Sequence, residues 1–338
     1  MKPRMRAIFG CAGTTLGAEE RAFFRDTLPW GFIVFARNVE SREQLTRLAG
    51  DLRESVNDPF APVLVDQEGG RVMRLKPPHW HERPAAARLG SLYSDSPDAA
   101  REAVYLNARL IAFDLCEVGI TIDCLPVLDV PVEGADAVIG ERAFARDCAT
   151  VIDLGRAAIQ GLLEGGVLPV MKHAPGHGRA TADTHLALPR VDTAQDVLSA
   201  TDFVTFRSLN HCPLAITAHV VYEAIDPQRP ATTSPKVIRD VIRGEIGFDG
   251  LLMTDDISMN ALSGPISVRA KAALFAGCDV VLHCNGKMEE MREVADEAKP
   301  LEGLPLKRAQ SALAQLRPAE PFDPAAAQQR LAQLLKAA

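Results

Sequence analysis

The stretch LPVMKHAPGHGRATADTH, residues 168–185, passes from an apolar run into a polar segment rich in glycine and histidine. Short apolar runs bounded by such segments are typical of buried β-strands. Runs of this kind recur along the chain and alternate with longer segments in which apolar residues have helical spacing, the pattern of repeated βα units. They predict eight strands, near residues 7–11, 32–35, 63–65, 121–126, 168–171, 214–217, 251–253 and 280–283.

Helical spacing is clearest in four segments between these strands, residues 41–56, 96–119, 149–166 and 234–247. Several begin with Ser or Asp, which cap helix N-termini, and end at Gly. Eight strands alternating with helices favour an α/β fold, a (β/α)8 TIM-type barrel, over its main competitor, a doubly wound open sheet. We predict a single barrel domain over residues 1–338, with the barrel at about 5–300 and C-terminal helices at about 305–338 packed outside.

The composition is typical of a soluble globular protein, with 47% hydrophobic and 24% charged residues. The 37 Lys and Arg residues are outnumbered by 44 Asp and Glu residues, which gives a net charge of −7. This charge provides no electrostatic basis for binding nucleic acid or an anionic membrane. We therefore expect a small-molecule partner, and we expect the protein to be a monomer.

Cysteine usage and the lack of long apolar runs predict a cytoplasmic location. The N-terminal segment has no hydrophobic region of the kind found in signal peptides, and nowhere do about eighteen apolar residues run together, as a membrane-spanning helix requires. The seven cysteines are scattered and form no C-x-x-C pair, which favours free thiols over disulfides or a zinc site. No metal or other cofactor is expected.

Active sites of (β/α)8 barrels lie at the C-terminal ends of the strands, because the βα loops meet there. Polar residues follow the third to the eighth predicted strands at this end, so we expect their side chains to converge. They are Asp66, Gln67, Glu68, Arg142, Lys172, His173, His219, Asp255, Asp256 and Asn285.

The segment LVDQEGGRVMRL, residues 64–75, combines a strand end with a tight turn. Gly69 and Gly70 permit the turn, Asp66 is placed to hold ligand hydroxyls, and the planar guanidinium of Arg71 or Arg74 is able to reach the same ligand. The alternative is an acidic turn exposed on the surface.

The segment LLMTDDISM, residues 251–259, is an apolar strand that ends in two carboxylates. Successive side chains of an extended segment point to opposite sides, so only one of Asp255 and Asp256 is expected to face the barrel mouth. That residue would serve as a nucleophile or base, whereas the alternative for either is to cap the N-terminus of the next helix. The pattern alone does not choose between them.

Three histidines follow the fifth strand, and three interpretations are open. A metal site would use His173, His177 and His185, but they lie on a loop with Pro and Gly, and Lys172 would repel a cation. A purely structural loop would need Pro and Gly but not the histidines. Proton transfer is favoured, because Asp183 is placed two residues from His185 and a carboxylate orients an imidazole and stabilises its cation.

The segment HWHE, residues 79–82, contains the H-x-H pattern of metal-dependent barrel hydrolases. In those enzymes the pattern follows the first strand, whereas here it lies beyond the third strand in a loop flanked by prolines, which favours a surface or lid loop. Trp80 could line a sugar subsite. The rival enzyme class is a metal-dependent barrel hydrolase using His79, His81, His173 and His219.

Together these motifs resemble glycoside hydrolase family 3, specifically its β-N-acetylglucosaminidases (β-hexosaminidases of the NagZ type). The resemblance runs in order through VDQEGGRVMRL, IGERAF at residues 139–144, KHAPGHG, DTHLALP at 183–189 and MTDDISM. The family usually has Phe where this chain has Ala174. Many relatives carry a second domain, and this chain resembles the bacterial form with a single barrel.

The resemblance implies a role for each matching residue. Asp255 matches the catalytic nucleophile, and His185 matches the general acid/base with Asp183 as its partner. The positions that hold the N-acetylglucosamine ring are matched by Asp66, Arg74, Arg142, Lys172 and His173. His177 is assigned a loop-shaping role, and His185 is expected to swing in after substrate binds.

The implied reaction is retaining hydrolysis of terminal β-linked N-acetylglucosamine through a covalent glycosyl-enzyme. With a cytoplasmic location, it implies peptidoglycan recycling, with fragments such as N-acetylglucosaminyl-anhydro-N-acetylmuramic acid and its peptides as substrates. Neutral imidazole lacks the negative charge of a carboxylate, so phosphorolysis by an anionic acceptor is a minor alternative. A sugar-binding barrel without catalysis is another.

Overall fold

The computed structural model describes residues 3–180 and 188–336. At its centre is a closed barrel of parallel strands, arranged in the order β1-β8-β7-β6-β5-β4-β3-β2. The strands are β1 Met5–Gly10, β2 Pro29–Val34, β3 Val63–Val65, β4 Ile122–Asp123, β5 Leu168–Ala174, β6 Leu214–Thr217, β7 Leu251–Asp256 and β8 Val280–His283. The predicted (β/α)8 barrel and each of its eight strands are confirmed, and the open sheet is excluded.

Alternation along the strands separates two buried layers. In β1, Ile8 belongs to a cluster that receives apolar side chains from every barrel strand and therefore fills the interior. Its neighbours Ala7 and Phe9 belong to the larger cluster between the barrel and the surrounding helices. Nearly continuous apolar runs are needed because both faces of a parallel barrel strand are covered.

Pairing of the first strand with the last closes the barrel. Phe9 is in register with Phe32 of β2 on one side and with His283 of β8 on the other. Closure removes both sheet edges, and it brings the C-terminal ends of all the strands to one face.

The helices follow the strands as the sequence predicts. The bounds before the terminal pair are α1 Ala18–Thr27, α2 Arg42–Ser55, α3 Ala86–Gly90, α4 Pro97–Glu117, α5 Cys148–Glu164, α6 Gln195–Ala200, α7 Asp202–Ser208, α8 Ile266–Ala276 and α9 Met288–Glu297, with a π-helical segment at Val237–Glu245. The four predicted helical segments correspond to α2, α4, α5 and the π-helical segment, two of them capped as expected by Ser41 and Ser96.

Other elements were not predicted. Helix α8, ISVRAKAALFA, has apolar residues on several sides and so lacks a clear stripe. The two-residue strands Arg190–Val191 and Val221–Tyr222 pair with each other outside the barrel. A strand of two residues is too short to show the alternation of apolar and polar residues by which strands are predicted.

The C-terminal helices α10 Gly303–Leu313 and α11 Pro324–Lys336 pack on the outside of the barrel, as predicted. Arg308 of α10 forms ion pairs with Asp249 and Asp279, which lie within two residues of the starts of β7 and β8, so α10 covers the N-terminal end of the barrel. Arg330 of α11 pairs with Glu102 of α4. The assignment of residues 1–338 to one domain stays a prediction. Within the described ranges, no helix is long and apolar enough to cross a bilayer.

Candidate active site

A cavity at the C-terminal end of the barrel collects side chains that lie far apart in the sequence. It is bordered by six of the residues to which the resemblance assigns a catalytic or sugar-binding role, namely Asp66, Arg74, Arg142, Lys172, His173 and Asp255, and also by Glu68, His177 and Asp256. Asp66 directly follows β3, Lys172 and His173 belong to the end of β5, and Asp255 belongs to the end of β7. In the structure these side chains converge at this face, as the sequence predicts.

Asp66 lies between two cations. Its Oδ1 accepts a hydrogen bond from Lys172 Nζ at 2.8 Å, and its Oδ2 accepts one from Arg74 Nη2 at 3.2 Å. Burial by itself would raise the pKa of Asp66, but the Lys172 ammonium and the Arg74 guanidinium outweigh burial and hold this pKa well below its ordinary value. Asp66 is therefore an anionic acceptor at any pH near neutrality.

Glu68 completes this cluster; the sequence places it among the polar residues at the strand ends but indicates no role for it. Its carboxylate accepts both prongs of the Arg142 guanidinium at 2.8 Å each and lies 2.6 Å from Lys172 Nζ. Burial lowers the pKa of Lys172, but Asp66 and Glu68 together raise it above its ordinary value, so the ammonium stays charged. The available signal was its place in the polar run after β3, two residues beyond Asp66.

Arg74 is oriented by an aromatic ring as well as by Asp66. Its guanidinium carbon lies 5.2 Å from the centre of the Phe35 ring, and Arg37 lies 5.1 Å from the same ring. The Arg74 Nε is buried and has no hydrogen-bond partner among the described residues. Arg71, the alternative in the sequence, does not border the cavity and donates instead to the carbonyls of Ala137 and Val138.

His173 and His177 are both held by Asp129, which the sequence did not identify. Asp129 is fully buried; its Oδ2 lies 2.7 Å from His173 Nδ1, and its Oδ1 accepts from the backbone N–H groups of His173 and His177. The His177 ring also borders the cavity, 5.6 Å from the His173 ring between centres. Burial and the nearby His173 lower the pKa of His177 to about 4, so this ring is neutral near pH 7. His177 therefore contributes to the cavity wall in addition to the predicted role in the loop.

Gly178 allows the segment after His177 to lie against the segment that carries Asp129. A Cβ atom at Gly178 would be 2.0 Å from the backbone carbonyl oxygen of Val130, a contact that no flexible side chain is available to relieve. We expect Gly178→Ala to destabilise the fold by about 1–3 kcal/mol and to lower kcat/KM by displacing His177 and Asp129. Thermal unfolding and initial rates measure the two effects.

Gly13→Ala is the matched control for this prediction, because nothing lies within 4 Å of a Cβ atom there. It should change neither stability nor rate by more than a small amount. Equal behaviour of the two variants would contradict the assigned close approach.

The two carboxylates at the end of β7 have different surroundings. Asp256 accepts from Ser258 N at 3.0 Å, Ser258 Oγ at 2.7 Å and Cys284 N at 3.2 Å, so both its oxygens are used in the turn. Asp255 Oδ1 accepts only from Asp256 N, at 2.8 Å, and no donor in the described part of the chain reaches Oδ2. Both side chains border the cavity, so alternation does not hide one of them as expected; hydrogen bonding is what distinguishes them.

Asp255 is anionic in this environment. Burial would raise its pKa, but His219, His173 and the N–H of Asp256 hold the pKa below its ordinary value of 3.8. An ionised carboxylate with one oxygen free is the form that a nucleophile requires.

His219 supports the end of β7 rather than offering a ligand. Its Nε2 lies 3.0 Å from the carbonyl oxygen of Asp256, which only accepts, so this nitrogen carries the hydrogen. Its Nδ1 lies 2.7 Å from Thr232 Oγ1. Burial lowers the pKa of His219, and the neutral ring has both nitrogens engaged.

The four histidines of the rival metal site do not come together. His79 and His81 are exposed and do not border the cavity, His173 Nδ1 faces Asp129, and His219 is engaged as described. Over residues 3–180 and 188–336, no three His, Cys, Asp or Glu side chains are grouped so that they could hold a metal ion. The geometry of this set therefore does not favour a metal-dependent hydrolase.

Trp80 lies away from the cavity, and two of the predicted catalytic residues belong to a stretch that the structure does not describe. Trp80 is buried, with the Arg42 guanidinium 5.0 Å from its ring centre, and it does not border the cavity, so a role in a sugar subsite is not supported. Asp183 and His185 lie in residues 181–187, outside the described residues.

Comparison with known proteins identifies relatives of the whole barrel. A family profile described as "Glycosyl hydrolase family 3 N terminal domain" matches residues 13–317. A protein of Alkalilimnicola ehrlichii named "Beta-hexosaminidase" is 40% identical over 282 residues, which cover 82% of this chain and 80% of that protein. A protein of the same name from Tolumonas auensis is 38% identical over 293 residues, covering 85% and 84% of the two chains.

Solved structures give the same result. The crystal structure of NagZ from Neisseria gonorrhoeae in complex with N-trifluoroacetyl-D-glucosamine superimposes with a TM-score of 0.89. The two chains are 32% identical in sequence, and the match covers 98% of each.

Proposed function

The chain belongs to glycoside hydrolase family 3 and is a glycoside hydrolase of the β-hexosaminidase type, and we propose that it is a retaining exo-β-N-acetylglucosaminidase. Its substrates would carry a terminal, non-reducing β-linked N-acetylglucosamine. The observation that carries this proposal is the Asp255 carboxylate, which is anionic, has one oxygen that no donor of the described residues reaches, and borders the same cavity as three cations and Asp66. The sugar analogue bound to the Neisseria gonorrhoeae NagZ belongs to the same substrate class.

The reaction would proceed in two steps. Asp255 attacks the anomeric carbon while His185 protonates the departing glycosidic oxygen, so that an aspartyl ester forms and the aglycone leaves with the proton. His185 then removes a proton from water, which attacks the anomeric carbon and releases Asp255. Two inversions give net retention. Asp183, with its carboxylate, would orient the His185 imidazole and stabilise its cation; both assignments come from the sequence motif.

The cluster around Asp66 would hold the N-acetylglucosamine ring. Asp66 is able to accept hydrogen bonds from sugar hydroxyls, and Arg74, Arg142 and Lys172 are able to donate. His173 adds a ring nitrogen to the same wall. Because Glu68 already neutralises much of the positive charge on Arg142 and Lys172, the site suits a neutral sugar.

Peptidoglycan fragments are the proposed natural substrates, with N-acetylglucosaminyl-anhydro-N-acetylmuramic acid and its peptides as the specific compounds. This rests on the family and on the cytoplasmic location expected from the cysteines. We also propose that the chain acts as a monomer and as a single barrel domain.

Turnover of 4-nitrophenyl β-N-acetylglucosaminide is the direct test. We expect release of nitrophenol without added metal and without loss on treatment with EDTA, and NMR should show the β-anomer of N-acetylglucosamine as the first product. Absence of release under every condition would contradict the proposal, and tightly bound stoichiometric zinc with EDTA-sensitive turnover would favour the metal-dependent class. Repeating the assay in phosphate buffer separates hydrolysis from phosphorolysis by the appearance of the sugar 1-phosphate.

The pH profile tests the state of Asp255. Its active form is the carboxylate, and its lowered pKa means that the carboxylate persists below pH 3.8. The value of kcat/KM reports the glycosylation step. We therefore expect kcat/KM to decrease on the acid side only as the pH falls through the lowered pKa of Asp255. A reversible acid limb above about pH 5 that persists after His185→Ala would contradict this assignment, provided the enzyme remains folded.

A further inference from the structure

The buried Asp129 contacts two residues of the cavity wall without bordering the cavity itself. It is fully buried and is not among the residues that border the cavity. Over residues 3–180 and 188–336, its side-chain hydrogen bonds all go to the segment that carries the two histidines: Oδ1 accepts from His173 N at 3.2 Å and from His177 N at 2.7 Å, and Oδ2 lies 2.7 Å from His173 Nδ1. Transfer of a carboxylate from water to the protein interior costs free energy. Packing alone therefore does not explain why a carboxylate occupies this position.

These three contacts fix which His173 nitrogen carries hydrogen. A carboxylate has no hydrogen to give, so Nδ1 must donate to Oδ2. Burial would raise the pKa of Asp129, but the His173 ring and the donated hydrogen bonds hold it below its ordinary value, so the group is ionised. In the neutral ring, Nε2 is then left with its lone pair. It lies 3.4 Å from Arg142 Nη2, at the wall of the cavity.

We propose that Asp129 is a positioning residue that holds His173 in the tautomer with hydrogen on Nδ1, so that Nε2 accepts a hydrogen bond from a substrate hydroxyl. This inference rests on the proposed function in taking His173 as a sugar-binding residue. The tautomer itself is a property of the free protein and is independent of any activity.

Asp129→Asn inverts the arrangement while keeping its shape. The two backbone N–H groups require an acceptor, so the single amide oxygen takes the place of Oδ1 and the NH2 group faces His173 Nδ1. Nδ1 must then accept, and the hydrogen moves to Nε2, which becomes a donor opposed to the substrate hydroxyl. We expect a loss in kcat/KM of roughly 10- to 100-fold, the scale of one lost hydrogen bond with an unpaired group left behind, expressed mainly as a higher KM.

The experiment is NMR of the histidine-labelled protein without substrate, with the His173 signals assigned from His173→Gln. Wild type should show hydrogen on Nδ1 of His173, and Asp129→Asn should show it on Nε2. Hydrogen on Nε2 in wild type, or an unchanged tautomer in a folded Asp129→Asn, would overturn the proposal. The matched control is Asp202→Asn, since Asp202 is a buried carboxylate that bonds Arg179 and Thr201 and neither histidine; it should leave the His173 tautomer as it is.

A double-mutant cycle separates positioning from a purely structural role. In a His173→Gln background, Asp129→Asn should cost much less in kcat/KM than in wild type, because no imidazole remains to be oriented. Equal costs in the two backgrounds would mean that Asp129 only holds the backbone at residues 173–177. Suppose that Asp129→Asn inverts the tautomer but that wild type shows no turnover. This result would contradict the proposed function and the sugar-binding role of Nε2, but it would leave the orienting contact between Asp129 and His173 intact.

Discussion

Replacing Asp255 by alanine should lower kcat for β-N-acetylglucosaminides by roughly four orders of magnitude or more, because the covalent intermediate can no longer form. The free energy of unfolding should change little, since within the described part of the chain the Asp255 side chain accepts a single hydrogen bond, from the N–H of Asp256. Steady-state rates and thermal unfolding on the same preparation measure both quantities. Added azide should restore part of the activity, because it can occupy the space left by the Asp255 carboxylate and attack the anomeric carbon from that side. The product should then be the α-glycosyl azide.

Asp256→Ala is the comparison that tests the choice between the two carboxylates. Its side chain accepts three hydrogen bonds from Ser258 and Cys284, so its loss should lower stability by about 1–3 kcal/mol and reduce activity less than Asp255→Ala. A larger loss of activity in Asp256→Ala, with azide rescue in that variant alone, would mean that the nucleophile is the second carboxylate.

His185→Ala should have the second largest effect, and that effect should depend on the leaving group. General acid catalysis contributes roughly 10²- to 10⁴-fold when the leaving group is poor, and much less when it is as acidic as nitrophenol. We expect kcat/KM to fall by more than a hundredfold on the natural disaccharide fragments and much less on the nitrophenyl substrate.

Asp183→Asn is the control for the dyad. It should reproduce the dependence on leaving group in weaker form, because the imidazole remains but is less well oriented. Equal losses on both substrates in His185→Ala would count against this residue as the acid.

The barrel and the ends of its strands are well encoded in the sequence. Buried strands such as those at 168–171 and 251–253 are apolar on both faces, and each ends abruptly in charged residues. Because parallel strands of a closed barrel place these ends on one face, the convergence of Asp66, Lys172 and Asp255 could be predicted without coordinates.

The partners of those side chains could not be predicted in the same way. Asp129 lies 44 residues from His173, in the segment after β4, and no local pattern marks it as a partner of an imidazole. Glu68 was visible as a polar residue near a strand end, but its contacts with Arg142 and Lys172 depend on how the loops after β3 and β4 lie relative to the end of β5. Alternation also failed to separate Asp255 from Asp256, since both belong to β7 and yet both border the cavity.

Pairing of β1 with β8 has a consequence for biosynthesis. Phe9 and His283 lie beside each other in the finished barrel but are separated by most of the chain. During synthesis one edge of β1 therefore stays unpaired until the eighth strand has emerged, about 14–55 s later at 5–20 residues per second. Arg37 also depends on that arrival, because one of its acceptors is the carbonyl of Cys284. A nascent chain that stops before β8 would present two open sheet edges and would invite association with other chains.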